Sequence, residues 1–332
     1  MKRLRLILYF CFLIMVVACL ASCGNSTITE YSLPTSMSIP QGITAGPDGN
    51  IWFAETHSDK IGKATPSGKL TEYALRKLSS PYGITAGPDG NVWFTEQLGN
   101  KIGKITPSGK VTEYSVPTTG SLPQGITAGP DGNLWFTEGN SAKIGKISPT
   151  GTIIEFPVRA GGLEDITTGP DGNLWFAWGQ QNWIGKITPS GTVTEYATPT
   201  AGSYPWGITP GPDGNVWFTE DVGKIGKITP SGVVTEYPAP AGAGICKGPD
   251  GNLWFASGHD GDQIGKITPS GTVTAYTVPT KVAEVPPGGP GVVVTPAPGS
   301  GPEGITAGPD GNVWFTERDG NKIGRIKISA KQ

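Results

Sequence analysis

Only two histidines occur in the 332-residue chain, His57 and His259. Each stands five residues after a tryptophan, in the related stretches WFAETH and WFASGH. Two carboxylates mark another copy of that stretch, Glu303 and Glu317 in GPEGITAGPDGNVWFTE. Histidine and carboxylate side chains whose pKa lies near ambient pH move protons in reactions. These four residues are therefore the candidate acid–base group, with Glu303, His57 and His259 as candidate catalytic residues. Glu303 and Glu317 are also candidate metal ligands, although two carboxylates hold Mg²⁺ or Ca²⁺ only if waters complete the shell. The plainer alternative makes both histidines solvent-exposed loop residues. A second group is aromatic. Trp178, Trp183 and Trp206 are the tryptophans outside the repeated position, and Tyr204 lies beside them. Gathered on one rim, they would form a platform for a flat or sugar-like ligand or for a partner protein. The alternative is that they seal a larger loop. No G-x-S-x-G elbow, P-loop, H-E-x-x-H or EF-hand pattern is present.

The elements that must position these residues are written as repeats. GPDGN begins at residues 46, 87, 129, 169, 211, 248 and 308. A period near 40 with four short strand signals per copy matches a four-stranded propeller blade. The signals are GIT-x-G, then N-x-W-F-T-E after the Pro-Asp-Gly-Asn turn, then K-I-G-K-I, then x-V-T-E-Y after a T-P-S-G turn. The last copy stops after its third strand, and the mature N-terminus begins with a lone fourth strand, TITEYSL (27–33). Pairing the two closes a ring and removes its open edges. The expected fold is an all-β seven-bladed propeller spanning 27–332. The Trp and the following Phe of each copy point to opposite faces of their blade and pack between blades. The Asp of GPDGN is read as a turn residue, and the lysines flanking Ile-Gly as solvated edge charges.

Two registers share one face of this ring. One is the residue before Gly-Ile: Gln41, Tyr82, Gln124, Glu164 (here before Asp165-Ile166), Trp206, Ala243 and Glu303. The other is the third residue after the repeat Trp: Glu55, Glu96, Glu138, Trp178, Glu220, Ser257 and Glu317. The opposite face is nearly invariant, so ligand binding is expected on the irregular one, through Trp178, Trp183, Tyr204, Trp206, Tyr82 and Glu164. The five repeated glutamates are assigned a local task such as bonding a loop amide.

The N-terminus reads as a targeting segment. Lys2, Arg3 and Arg5 precede an apolar run ending in Leu20-Ala21-Ser22-Cys23, which resembles a bacterial lipobox. Residues 1–22 are then a lipoprotein signal peptide, Cys23 the lipidation site, and 23–26 a tether. The domain is expected outside the cytoplasm in a bacterial cell envelope, touching a membrane through its anchor alone. An uncleaved anchor is the alternative. Cys11 and Cys19 leave with the signal, so Cys246 has no intramolecular partner. Without the three basic residues of the signal, 22 basic side chains face 27 acidic ones. No basic run stands out, which argues against nucleic acid. A monomer is expected, with a small molecule, glycan or protein as partner. A Pro/Gly-rich insertion at about 279–302 separates the last two copies.

The repeat GIT-x-GPDGN-x-WFTE…KIG+I…G-x-(I/V)-TEY resembles the streptogramin B lyase (virginiamycin B lyase) family over residues 27–332. That resemblance implies a seven-bladed propeller. It also implies opening of a macrocyclic ester by elimination, with Mg²⁺ and a histidine base. Its site residues map onto different residue types here. The position of the base, before Gly-Ile in blade 7, holds Glu303, and the matching histidine position in blade 6 holds Ala243. The metal-binding glutamate positions hold Gly301 and Arg318, and a tyrosine position holds Gln41. Mg²⁺ is thus expected through the resemblance alone. The leading expectation is a ligand- or partner-binding propeller. The alternative is a metal-assisted C–O lyase with a rebuilt site, and a weaker one, by fold analogy, is a lactone hydrolase.

Overall fold

The computed structural model describes residues 27–258, 261–280 and 299–328. Cys23 and His259 fall outside these residues, as do the signal peptide, the tether and most of the 279–302 insertion. The described chain forms seven antiparallel four-stranded sheets, six of them running in chain order from the inner to the outer strand. Blade 1 comprises Pro40–Ala45, Ile51–Glu55, Lys60–Ala64 and Leu70–Ala74. Blade 7 takes Pro302–Ala307, Val313–Glu317 and Lys322–Ile326 from the end of the chain and Ile28–Ser32 from its beginning. Ile28 pairs with Ile326 and Tyr31 with Ile323, so the ring closes by the expected strand.

Packing follows the repeat. Each Trp meets apolar side chains of the next blade: Trp52 clusters with Ile84 and Phe94, and Trp314 with Ile43 and Phe53. The tryptophan and phenylalanine faces therefore interlock around the ring. The Asp of GPDGN does more than turn the chain. Asp89 accepts the indole N–H of Trp93 at 2.9 Å and the Asn91 amide at 2.9 Å, and Lys104 lies 3.5 Å away. Burial opposes ionisation of Asp89, but these hydrogen bonds and the Lys104 charge outweigh it and hold its pKa below the usual carboxylate range. Lys104 also sits 4.9 Å above the Trp93 ring, which stacks on Tyr114 at 5.7 Å. The lysines are thus not solvated edge charges. Those at the end of the third strand clamp Asp to Trp, and most of those at its start pair with the outer-strand Glu, as Lys60 does with Glu72 at 2.6 Å. A cation over an indole face gains electrostatic stabilisation that a solvated ammonium lacks.

Two features of the inner strands matter for function. The first is closeness. A Cβ on Gly83 would lie 2.3 Å from the Gln124 carbonyl oxygen of the next blade, so only glycine lets adjacent inner strands approach this far. The second is a register shift between the first and fourth residues of the inner strand, between Pro40 and Ile43 in blade 1 and at the equivalent place in blades 2, 3, 4, 5 and 7. A bulge re-aims the side chains at its position, and here it falls on the variable residue before Gly-Ile.

Candidate functional site

The bulge turns the variable residues toward the ring axis. Gln41, Tyr82, Gln124, Glu164, Asp165, Trp206 and Glu303 line one cavity of about 140 Å³ in the central channel, together with the glycines and isoleucines that follow them. Loops from neighbouring connections meet around its mouth, where Thr56 N–H donates to Ile39 O and Gln97 N–H to Ser80 O. The repeated threonine of W-F-T-E fixes the wall. The Thr95 hydroxyl accepts Gly83 N–H at 2.9 Å and donates to Gln124 O of the next blade at 2.7 Å. Thr137, Thr219 and Thr316 make the same pair of bonds, the second reaching Glu164 O, Ala243 O and Gln41 O. The backbone of the variable residue is thereby held by the blade before it, while its side chain is left to vary.

Three carboxyl groups stand on this wall. Glu164 is 6% exposed, and burial first, then the Asp165 charge, pushes its carboxyl up to about 8. Asp165 is pushed up to about 6 by burial, against hydrogen bonds from Ile166 N–H at 2.8 Å and Ile208 N–H at 3.4 Å. Glu303 completes the set. The Tyr82 phenol is driven well up by burial and by the charges of Glu303, Glu164 and Asp165, against Arg318. Gln41 is 8% exposed, and its amide oxygen has no hydrogen-bond partner. Ala243 is small and buried, so the ring has a gap between Trp206 and Glu303.

The other predicted residues lie elsewhere. Trp178 is fully buried, packs against Leu163 and Phe176, and donates its indole N–H to Gly161 O at 2.8 Å. It replaces the repeated glutamate in the interior and has no surface for a ligand. Trp183 meets it edge-on at 5.6 Å and is covered by the Arg159 guanidinium at 5.0 Å. The expected four-residue aromatic platform is therefore split: Trp178 and Trp183 seal a corner between blades 3 and 4. Tyr204, in the left-handed backbone region at φ 51°, packs beside Gly179 and feels the Glu164 charge. Trp206 alone of the four lines the channel. His57 is exposed on the loop after the second strand of blade 1 and is not part of the channel wall. Glu317 is fully buried behind the wall, so the pair Glu303–Glu317 does not converge on the cavity.

The repeated glutamates do not bond loop amides. Glu55 accepts the Ser58 hydroxyl at 3.1 Å and Glu138 the Ser141 hydroxyl at 2.6 Å, whereas Glu96, Glu220 and Glu317 have only the loosely placed hydroxyls of Ser79, Ser203 and Thr280. Burial is the main reason all five are pushed up to about 7. Asp165 and the threonines were missed in the sequence. The signal for Asp165 was there: it is the one residue other than glycine after the variable position.

The residues do not fit the Mg²⁺ that the resemblance implies. One metal-binding position is Gly301, at φ +61°, where a Cβ would lie 2.4 Å from Asp319 Oδ2. The other is the cationic Arg318. Among the described residues no three His, Cys, Asp or Glu side chains gather as a metal site.

The model of the virginiamycin B lyase family matches residues 20–164 and 158–291. A curated virginiamycin B lyase from Saccharopolyspora erythraea is 44% identical over 48 residues, 14% of this chain and 16% of the relative, so that match spans a small part of either protein. A solved streptogramin B lyase structure superposes with a TM-score of 0.82 at 36% identity, covering 92% of this chain and 98% of the other. A virginiamycin B lyase from Staphylococcus aureus, solved as a catalytically inactive variant with quinupristin, gives 0.81 at 36% identity over 92% and 100%. A putative gluconolactonase at 16% identity and TM-score 0.52, covering 76% of this chain and 90% of its own, shares the fold alone.

Proposed function

Because the chain belongs to the virginiamycin B lyase family, we propose that it binds a small molecule at the loop-face mouth of its central channel. The observation that carries this is the convergence of the varying residues of the ring on one cavity, with Gln41 and Glu164 more than nine-tenths buried and the Gln41 amide oxygen without a hydrogen-bond partner. Buried polar groups are normally satisfied, and an unsatisfied acceptor facing a cavity is met by a ligand. Trp206 and Tyr82 supply apolar faces and the carboxyl groups orientation, which is the usual make-up of a small-molecule site. The reading includes lipid anchoring through Cys23 in the cell envelope, tested by whether Cys23→Ser releases the chain from membranes. Binding is tested by thermal shift of the purified chain against streptogramin B, lactone, glycan and peptide panels. A stabilising ligand whose effect is lost in Trp206→Ala and Tyr82→Ala supports the channel. Ligand effects unchanged in both variants refute it.

One observation favours a second reading, in which the chain opens a cyclic ester by elimination. Glu164, at about 8, is basic enough to accept a proton near neutral pH. It would take the proton from the carbon next to the C–O carbon; that C–O bond breaks, a C=C bond forms, and the ester leaves as a carboxylate. Incubation with a streptogramin B followed by mass spectrometry decides it. An isomeric linear product that disappears in Glu164→Gln supports the lyase; intact substrate excludes it.

A further inference from the structure

We infer that the channel mouth selects an organic cation, a protonated amine on a ring-sized apolar group. The inference rests on the channel being the binding site and names the chemistry of its ligand. Size comes first. A cavity of about 150 Å³ holds one benzene ring, and this one measures about 140 Å³. Charge comes second. Glu164, Asp165 and Glu303 share the wall, and among the described residues Arg318 brings a positive charge to the same space at Tyr82. Tyr204 feels the charges of Glu164 and Asp221 and adds no positive charge. The third argument is satisfaction. The Gln41 amide oxygen is a buried acceptor with no donor, the buried Glu164 carboxyl is a further acceptor on the same wall, and an ammonium group brings three donors. Shape comes last. Trp206 and Tyr82 line the cavity from opposite sides of the ring, and Ala243 leaves the gap between Trp206 and Glu303 for the rest of the ligand. Aromatic faces favour cations within about 6 Å of the ring. A cation arriving beside Glu164 also favours its ionised form, so binding near neutral pH releases a proton.

The test is isothermal titration of the purified full-length chain with benzylammonium, benzyl alcohol, benzoate and Mg²⁺, at pH 7 in two buffers of different ionisation enthalpy. Expected is benzylammonium binding at least tenfold tighter than benzyl alcohol, with close to one proton released. In Glu164→Gln the preference falls below threefold and proton release vanishes. Glu195→Gln, a carboxyl change on the outer strand of the same blade, retains both. Equal or tighter binding of benzyl alcohol or benzoate overturns the cation and leaves the channel site standing. So does the absence of proton release. Displacement of benzylammonium by micromolar Mg²⁺ makes the cluster a metal site and also overturns it. No binding of any probe, while another ligand stabilises the chain through Trp206 and Tyr82, overturns the cation alone. No binding of any probe or panel ligand overturns both.

Discussion

Replacing Glu96 with Gln tests the cost of the repeated buried carboxyl. Glu96 is fully buried, with the Ser79 hydroxyl placed only loosely as a donor to its carboxyl group. Burial is the largest influence on it; the Glu113 charge adds to the rise, while the Ser79 hydroxyl and the charges of Lys101 and Arg76 oppose it, leaving it at about 7 from an ordinary 4.5. The folded state therefore binds this proton more tightly than the unfolded chain. Between pH 4.5 and about 7 the folded state holds more protons, so stability falls as pH rises through that window and is flat on either side. At about 1.36 kcal/mol per pKa unit, the separation from 4.5 to about 7 corresponds to roughly 3 kcal/mol lost above pH 7. Between pH 5 and pH 8 the change is about 2–3 kcal/mol, because part of the window lies below pH 5. Glutamine carries the same shape and no charge. Any cost of its unpaired amide is the same at every pH. Chemical denaturation of wild type and Glu96→Gln at pH 5, 6, 7 and 8 should show the variant gaining relative stability by about 2–3 kcal/mol across the series. Parallel pH profiles, with a difference constant to about 0.5 kcal/mol, would refute the assignment of burial as the dominant influence.

Other outcomes follow from the same packing. Gly83→Ala places a methyl 2.3 Å from the Gln124 carbonyl, and by circular dichroism melting it should cost about 1–3 kcal/mol as an overpacked contact; a neutral result would mean that the inner strands are not held at this spacing. Tyr31→Ala removes the ring stacked at 5.5 Å on Trp314 from the closing strand and should cost about 3–5 kcal/mol. Proteolysis of that variant should begin in residues 27–33, and cleavage elsewhere first would argue against closure as a weak point. Burial, with the nearby Asp250 charge, pushes the Cys246 thiol far up. It should react with a thiol reagent at neutral pH only in denaturant; rapid labelling of the folded chain would contradict this.

The scaffold was legible because its causes are local and repeated. Pro-Asp-Gly-Asn turns, alternating Trp and Ile, and the split TITEY strand specify blades, order and closure without knowledge of distant contacts. Residues before Gly-Ile could be placed on the axis because the inner strand of any propeller lines the channel. Trp178 was misplaced for a physical reason. Its slot is glutamate in other blades, and a residue that differs from polar neighbours looks like surface variation. In the fold that slot is interior in every blade but the sixth, where Ser257 is half-buried, so the change from Glu to Trp is a change of core filling. The lysine clamps depend on which side of a strand meets the Asp turn and the indole, a detail set by register. The sum of three carboxyl groups on one wall was hidden because Asp165 occupies a glycine position, and its distance in sequence from Glu303 says nothing of their shared channel.

Where a ligand sits decides whether the channel mouth is the binding site. A crystal structure of the chain with the most stabilising molecule from the thermal-shift panels would decide it. The account predicts density at the loop-face mouth, against Trp206, Tyr82 and Glu164. Density on the face of the GPDGN turns, or at the Trp178–Trp183 corner with the channel empty, would contradict it.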